Sequence, residues 1–115
     1  SPPARKELSP EEQKRLRELA RSLLPPMAEA WAARLGVSPA GIRITSAKTR
    51  FGSCSGKNRL SFSWRLMAYP EAAIDYVVVH ELAHIRYKDH GRGFYGFVAS
   101  VLPDYKDRIR LLQGR

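Results

Sequence analysis

The chain holds three histidines, His80, His84 and His90, and all lie inside one eleven-residue window. Two of them bracket the run His80-Glu81-Leu82-Ala83-His84. On a helix, positions i and i+4 sit one turn apart on the same face, so both imidazoles can point at one metal ion. Two histidines at this spacing suit zinc. Glu81 lies about 100° around the helix from His80. That angle makes it a poor ligand beside both histidines and a good partner for a water on the metal. Zinc lowers the pKa of such a water from about 15.7 to about 7, and a carboxylate can accept the proton as hydroxide attacks. A catalytic zinc needs a third protein ligand and an open fourth position. His90 lies six residues beyond His84, and Gly91 and Gly93 let the chain turn back toward the helix end. Asp89, Asp104 and Asp107 are alternative oxygen ligands, or acceptors for an imidazole N–H.

In a chain of this composition, the pattern H-E-x-x-H arises by chance roughly once in two hundred such sequences. A plain pair of helix histidines must also live with Val77-Val78-Val79 directly before the motif. That apolar run marks a buried helix, where an unpaired Glu81 is costly. A polarised water on a metal relieves that cost.

The elements that must carry this motif are legible from period and punctuation. Residues 1–8 read as a tail. Ser9-Pro10-Glu11-Glu12 has the form of a helix start, with Ser9 as cap and Glu12 closing a capping box. Leu16, Leu19, Ala20 and Leu23 follow at helical spacing. Pro25-Pro26 should break or kink this helix. A second segment then carries Met27, Ala30, Trp31 and Leu35, with Gly36 as its stop. From Ile42 the period changes to two: Ile42 and Ile44, then Leu60, Phe62 and Trp64, alternate with polar neighbours. Gly52 and Gly56-Lys57-Asn58 supply turns, which predicts a small antiparallel hairpin or meander over residues 42–65. A helix over about 70–88 carries the histidine motif on Ile74, Val77, Val78, Leu82 and Ile85. Phe94, Phe97, Val98 and Val101 make a further short amphipathic helix, ended before Pro103. Asp104 can cap a last one, with Asp107 at the box position and Tyr105, Ile109 and Leu112 inward. The order is N-terminal helices, small sheet, motif helix, two short C-terminal helices: an α+β domain spanning residues 1–115.

Composition sets the frame. At 115 residues and 43% hydrophobic, the chain has the length of one domain, enough for a self-sufficient core. Its one cysteine excludes a disulfide framework and a multi-cysteine zinc ribbon. Cys54, in a Gly-Ser-Cys-Ser turn, reads as a packed residue rather than a reactive thiol. No stretch approaches the roughly 20 apolar residues of a membrane span. The start Ser-Pro-Pro-Ala-Arg-Lys has no apolar run behind it, so a cytoplasmic setting is expected.

Several segments taken together resemble a known family. They are Thr49-Arg50-Phe51-Gly52-Ser53-Cys54-Ser55, Leu60-Ser61-Phe62-Ser63-Trp64-Arg65-Leu66 and Pro70. They continue with Ile74-Asp75-Tyr76-Val77-Val78-Val79-His80-Glu81-Leu82-Ala83-His84, Asp89-His90, Phe94 and Pro103-Asp104-Tyr105. Over roughly residues 42–112 the chain is similar to the YgjP-like metallopeptidase domain, a zincin family related in outline to the SprT-like proteases. Phe51 and Tyr95 stand where tryptophan is more usual, and both stay aromatic. The resemblance implies a zincin-like fold and a zinc-dependent hydrolase, with His80, His84 and His90 as Zn2+ ligands and Glu81 as the base.

The net charge is +9. Residues 1–69 hold 13 basic and 5 acidic groups, net +8, and residues 70–115 hold 7 and 6, net +1. No acidic residue lies between Glu29 and Glu71. A zincin lays an extended substrate along a sheet edge, so a basic sheet over residues 30–70 would favour acidic partners or nucleic acid. A solvated basic face is the plain alternative. Three functions follow. The first is a zinc metallopeptidase acting on protein or peptide. The second is a nucleic-acid-associated, SprT-like protease. The third is a non-catalytic, zinc-stabilised polyanion-binding module with a fourth protein ligand on the metal. Tyr76, Tyr87, Tyr95, Arg86 and Arg92 are candidates to polarise a scissile carbonyl.

Overall fold

Ser9 starts the first helix as the sequence predicts. Its hydroxyl accepts from the Glu12 N–H at 3.2 Å, and Glu12 Oε1 accepts from the Ser9 N–H at 3.1 Å. This helix, α1, runs Pro10–Leu35. Gly36 ends it at φ 69°, a left-handed conformation that glycine adopts without strain. There the Val37 N–H reaches the Ala32 carbonyl and the Gly36 N–H reaches Ala33, a Schellman closure. The computed structural model describes residues 8–113. Of the expected tail, residues 1–7 lie outside that range, and Leu8 packs partly buried against the core.

Pro25-Pro26 does not break α1, which is one helix of 26 residues. The prolines remove the donors that would reach the carbonyls of Arg21 and Ser22, both exposed residues where water can take their place. A helix-interior proline costs about 3 kcal/mol. The stripe Leu16, Ala20, Leu24, Ala28, Ala32 and Leu35 is buried along the whole helix, and each buried leucine contributes about 1.5–3 kcal/mol. Tertiary burial therefore outweighs the local rule. The stripe also differs from the predicted one: Leu24 is fully buried, while Leu19 and Leu23 are 40% and 44% exposed.

The sheet has strands β1 (Gly41–Thr45), β2 (Gly52–Cys54) and β3 (Arg59–Ser63) in the order β1-β3-β2. It is mixed, which corrects the antiparallel expectation. β2 and β3 form an antiparallel hairpin closed by the predicted turn, with Asn58 left-handed at φ 64°. β1 pairs with the far side of β3 in parallel, Ile42 opposite Leu60 and Ile44 opposite Phe62. The connection 46–51 crosses the end of β3, where the buried Ser63 hydroxyl donates to the Ala47 carbonyl at 2.7 Å. Gly52, expected in a turn, is a strand residue. Trp64, expected to continue the strand, opens a 3₁₀ turn over Trp64–Ala68.

Three helices follow: α2 (Glu71–Arg86), α3 (Arg92–Val101) and α4 (Tyr105–Leu111). α2 is buried on several sides through Ile74, Val77, Val78, Val79 and Leu82. It touches α1, β2, α3 and α4. Trp31 Nε1 donates to Asp75 Oδ1 at 3.0 Å and ties α1 to it. Asp104 precedes α4 but makes no side-chain cap: its carboxylate takes Arg108 Nε at 2.9 Å instead, and Asp107 pairs with Arg110. The chain is thus an α+β fold whose motif helix is packed against four other elements. Among the described residues, no helix is long and apolar enough to cross a membrane.

Candidate metal centre

α2 presents His80 and His84 one turn apart, and the turn 87–91 before α3 brings His90 back onto them. His90 Nε2 lies 2.9 Å from His84 Nε2 and 3.2 Å from His80 Nε2. The three ring nitrogens that sequence spacing singled out therefore converge on one point. Phe94, fully buried on α3, forms the wall behind them. Its ring stacks on His84 at 4.5 Å and meets His80 and His90 edge-on at 5.1 and 4.9 Å.

The donor chemistry of this cluster fits a cation. His84 Nδ1 lies 2.9 Å from the Tyr87 carbonyl, which can only accept, so the His84 proton sits on Nδ1 and Nε2 carries a bare lone pair. His80 Nδ1 likewise faces Glu81 Oε2 at 3.2 Å, which leaves His80 Nε2 bare. His90 Nε2 sits between two lone pairs, and one proton can bridge only one of these contacts. A metal ion among the three would satisfy all of them. Burial, and the neighbouring His80 and His90, hold the His84 imidazole below the usual histidine range against the opposite pull of the Tyr87 carbonyl and Glu81. His84 thus stays neutral, as a ligand must.

Among the described residues no fourth histidine, cysteine or carboxylate joins this group. Asp89, a predicted alternative, accepts the Gly91 N–H at 3.2 Å. Asp104 and Asp107 pair with Arg108 and Arg110. The described residues supply no fourth protein ligand, which a closed structural site requires.

Glu81 is buried at 7% exposure beside the histidines and outside their cluster, as the helical angle predicts. It lies against Gly52 of β2: a Cβ at position 52 would sit 2.9 Å from Glu81 Cγ and 3.2 Å from Phe62 Cδ1. Gly52 is the residue that lets the sheet approach the motif helix. An open cavity of about 300 Å³ runs along this junction, lined by Arg50, Phe51, Gly52, Tyr76, His80 and Glu81 among others.

Of the five candidates for polarising a carbonyl, Tyr76 is the one that lines this cavity. Burial, with Tyr95, Glu81 and Tyr105 nearby, pushes its phenol up to about 12, so it remains a proton donor at neutral pH. Tyr95 stacks on Tyr105, while Tyr87 and Arg86 pack on Phe97. Arg50, Gly52 and the Tyr87 carbonyl were not singled out from sequence. Arg50 and Gly52 sit in the Arg-x-Gly-Ser-Cys segment, and that was the available signal. A backbone carbonyl leaves none. Burial raises the Cys54 thiol above its usual range, and the residue packs against the core, in keeping with a structural role.

The E. coli (strain K12) protein named UTP pyrophosphatase is 28% identical over 65 residues. That match covers 56% of this chain and 39% of the E. coli protein, so well under half of that relative's length is represented. The fold is similar to the crystal structure of the metallopeptidase zymogen of Pyrococcus abyssi abylysin, with a TM-score of 0.66 and 23% identity. The likeness covers 80% of this chain and 98% of that one. The metallopeptidase zymogen of Methanocaldococcus jannaschii jannalysin gives 0.64 and 20%, over 75% and 92%. The profile of the YgjP-like, metallopeptidase domain family matches residues 4–115, and the chain belongs to that family.

Proposed function

We propose that this protein is a zinc-dependent hydrolase in which His80, His84 and His90 hold the metal and Glu81 moves the proton. The convergence of the His84 and His80 Nε2 atoms on His90 Nε2, at 2.9 and 3.2 Å, beside a buried carboxylate, carries this reading. Zinc at such a centre supplies Lewis acidity toward an oxygen and lowers the pKa of water it touches. The chain supplies the rest. The Tyr87 carbonyl and Glu81 orient the two α2 imidazoles. Glu81 Oε2 is engaged by His80, so Oε1 accepts the proton of an attacking water and returns it to the leaving group. Tyr76 donates to the oxygen on which charge develops.

For a peptide substrate, β2 offers the path. It is an edge strand, and Gly52 touches Glu81. An extended segment paired along β2 would bring its carbonyl beside the base. The expected result is hydrolysis of peptide by the zinc-loaded protein that disappears in Glu81→Gln with zinc retained. Parent-like turnover in Glu81→Gln would overturn the mechanism.

A second substrate reading rests on Arg50, a guanidinium lining the same cavity as His80 and Glu81, and on the name of the E. coli relative. The same water and base would serve a nucleotide phosphoanhydride. Water adds to one phosphorus, the P–O–P bond breaks, and two phosphate products leave. Comparing UTP with an unstructured peptide as substrate for the same preparation, with Glu81→Gln as control, decides between the two bonds.

A further inference from the structure

The outer face of the sheet carries a second groove, beside the cavity at the metal centre. It has a volume of about 690 Å³ and is lined by Arg43, Arg50, Arg59, Ser53, Ser55 and Ser61, among others. Strand register builds it. Leu60 and Phe62 face the core, so the alternate row of Arg43, Ser61 and Ser53 faces out across all three strands. Arg43 Nε donates to the Ser61 hydroxyl at 3.3 Å, which aims the guanidinium across the row. Among the described residues none of the three arginines has an acidic partner within ion-pair distance. Guanidinium forks and serine hydroxyls facing one space are the chemistry that recognises phosphate oxygens.

Arg50 lines this groove and also the cavity holding His80 and Glu81. We propose that the groove binds the phosphate chain of a nucleoside triphosphate, with Arg50 joining it to the metal centre. This rests on the phosphoanhydride reading above. The size fits a small molecule, since such sites run from about 300 to 1,000 Å³. No aromatic side chain lines the groove, so it lacks the stacking platform with which proteins hold single-stranded nucleic acid. A neutral peptide backbone would leave the charges unmatched.

The test is binding to the zinc-loaded Glu81→Gln protein, where turnover is blocked, using inorganic triphosphate, UTP, an oligothymidylate and a poly-glutamate peptide as probes. Triphosphate and UTP are expected to bind, and Arg43→Ala, Arg50→Ala and Arg59→Ala to weaken them roughly tenfold or more each. Arg59→Lys should recover only part, because an ammonium keeps the charge and loses the fork. Unchanged melting of each variant separates lost contacts from lost folding. Binding indifferent to all three arginines overturns the groove, since it would report the metal alone. Tighter binding of the oligonucleotide or the acidic peptide overturns the assignment of the occupant. Triphosphate held through the arginines by a parent that hydrolyses no phosphoanhydride supports the groove and overturns the phosphoanhydride reading instead.

Discussion

Glu81 and Gly52 are in van der Waals contact across the junction of α2 and β2, with room at position 52 for a hydrogen and nothing larger. A Cβ there would lie 2.9 Å from Glu81 Cγ, and Phe62 behind it is fully buried and cannot give way. The position of Glu81 is therefore set by a residue without a side chain, in another element.

Gly52→Ala is expected to push Glu81 aside. A displacement of about 1 Å at a catalytic group costs on the order of a hundredfold in rate. The melting temperature should fall modestly, because overpacking costs about 1–3 kcal/mol. Zinc content should stay at the parent level, because no ligand is touched. Turnover and metal analysis on one sample check this, and parent-like turnover would contradict it.

The histidine spacing and the helices were readable because both are local: i, i+4 periodicity, the Ser9–Glu12 box and the Gly36 stop each lie within a few residues. The Pro25-Pro26 expectation failed because a local rule met a longer stripe of buried residues from Leu16 to Leu35. The strand order failed for a different reason. Parallel pairing of β1 with β3 joins residues eighteen apart, such as Ile42 and Leu60, and no short-range signal encodes it. For the same reason the site's partners from outside α2, Gly52 and Arg50, were visible only as members of a motif.

Tyr76→Phe removes the hydroxyl of a residue that lines the cavity and keeps the ring that packs 5.6 Å from His80. If the phenol donates to the transition state, kcat should fall roughly ten- to a hundredfold with KM little changed, a loss on the scale of one oxyanion donor or less. Equal kcat in Tyr76→Phe would assign the hydroxyl no such part.

Phe94→Ala should cost about 3–5 kcal/mol of stability by opening a cavity in the core. It should also weaken zinc binding, because Phe94 touches all three imidazoles. Phe94→Leu refills most of the space and should restore stability more fully than metal affinity. Denaturant melts beside zinc titrations separate the two.

The lowered His84 pKa contributes to the pH response of the metal-free chain. The folded form takes up its proton at lower pH than the unfolded chain, whose histidine titrates near 6.5. The unfolded state therefore binds more protons in that window, and stability rises with pH through it. The metal-free protein should be more stable at pH 7 than at pH 5, with part of that difference absent in His84→Leu. Zinc affinity should fall over the same interval, since a charged imidazole has no lone pair to offer. Melts and zinc titrations at the two pH values read both effects.

An open three-histidine metal centre served by Glu81 is the proposal on which these expectations depend. A crystal structure of the zinc-loaded protein, with the ion identified at its absorption edge, tests it most directly. Zinc is expected on the Nε2 atoms of His80, His84 and His90, with a non-protein ligand in the fourth position and Glu81 off the metal within hydrogen-bond reach of that ligand. A fourth protein ligand closing the site, or Glu81 bound to the ion in place of a histidine, would contradict it.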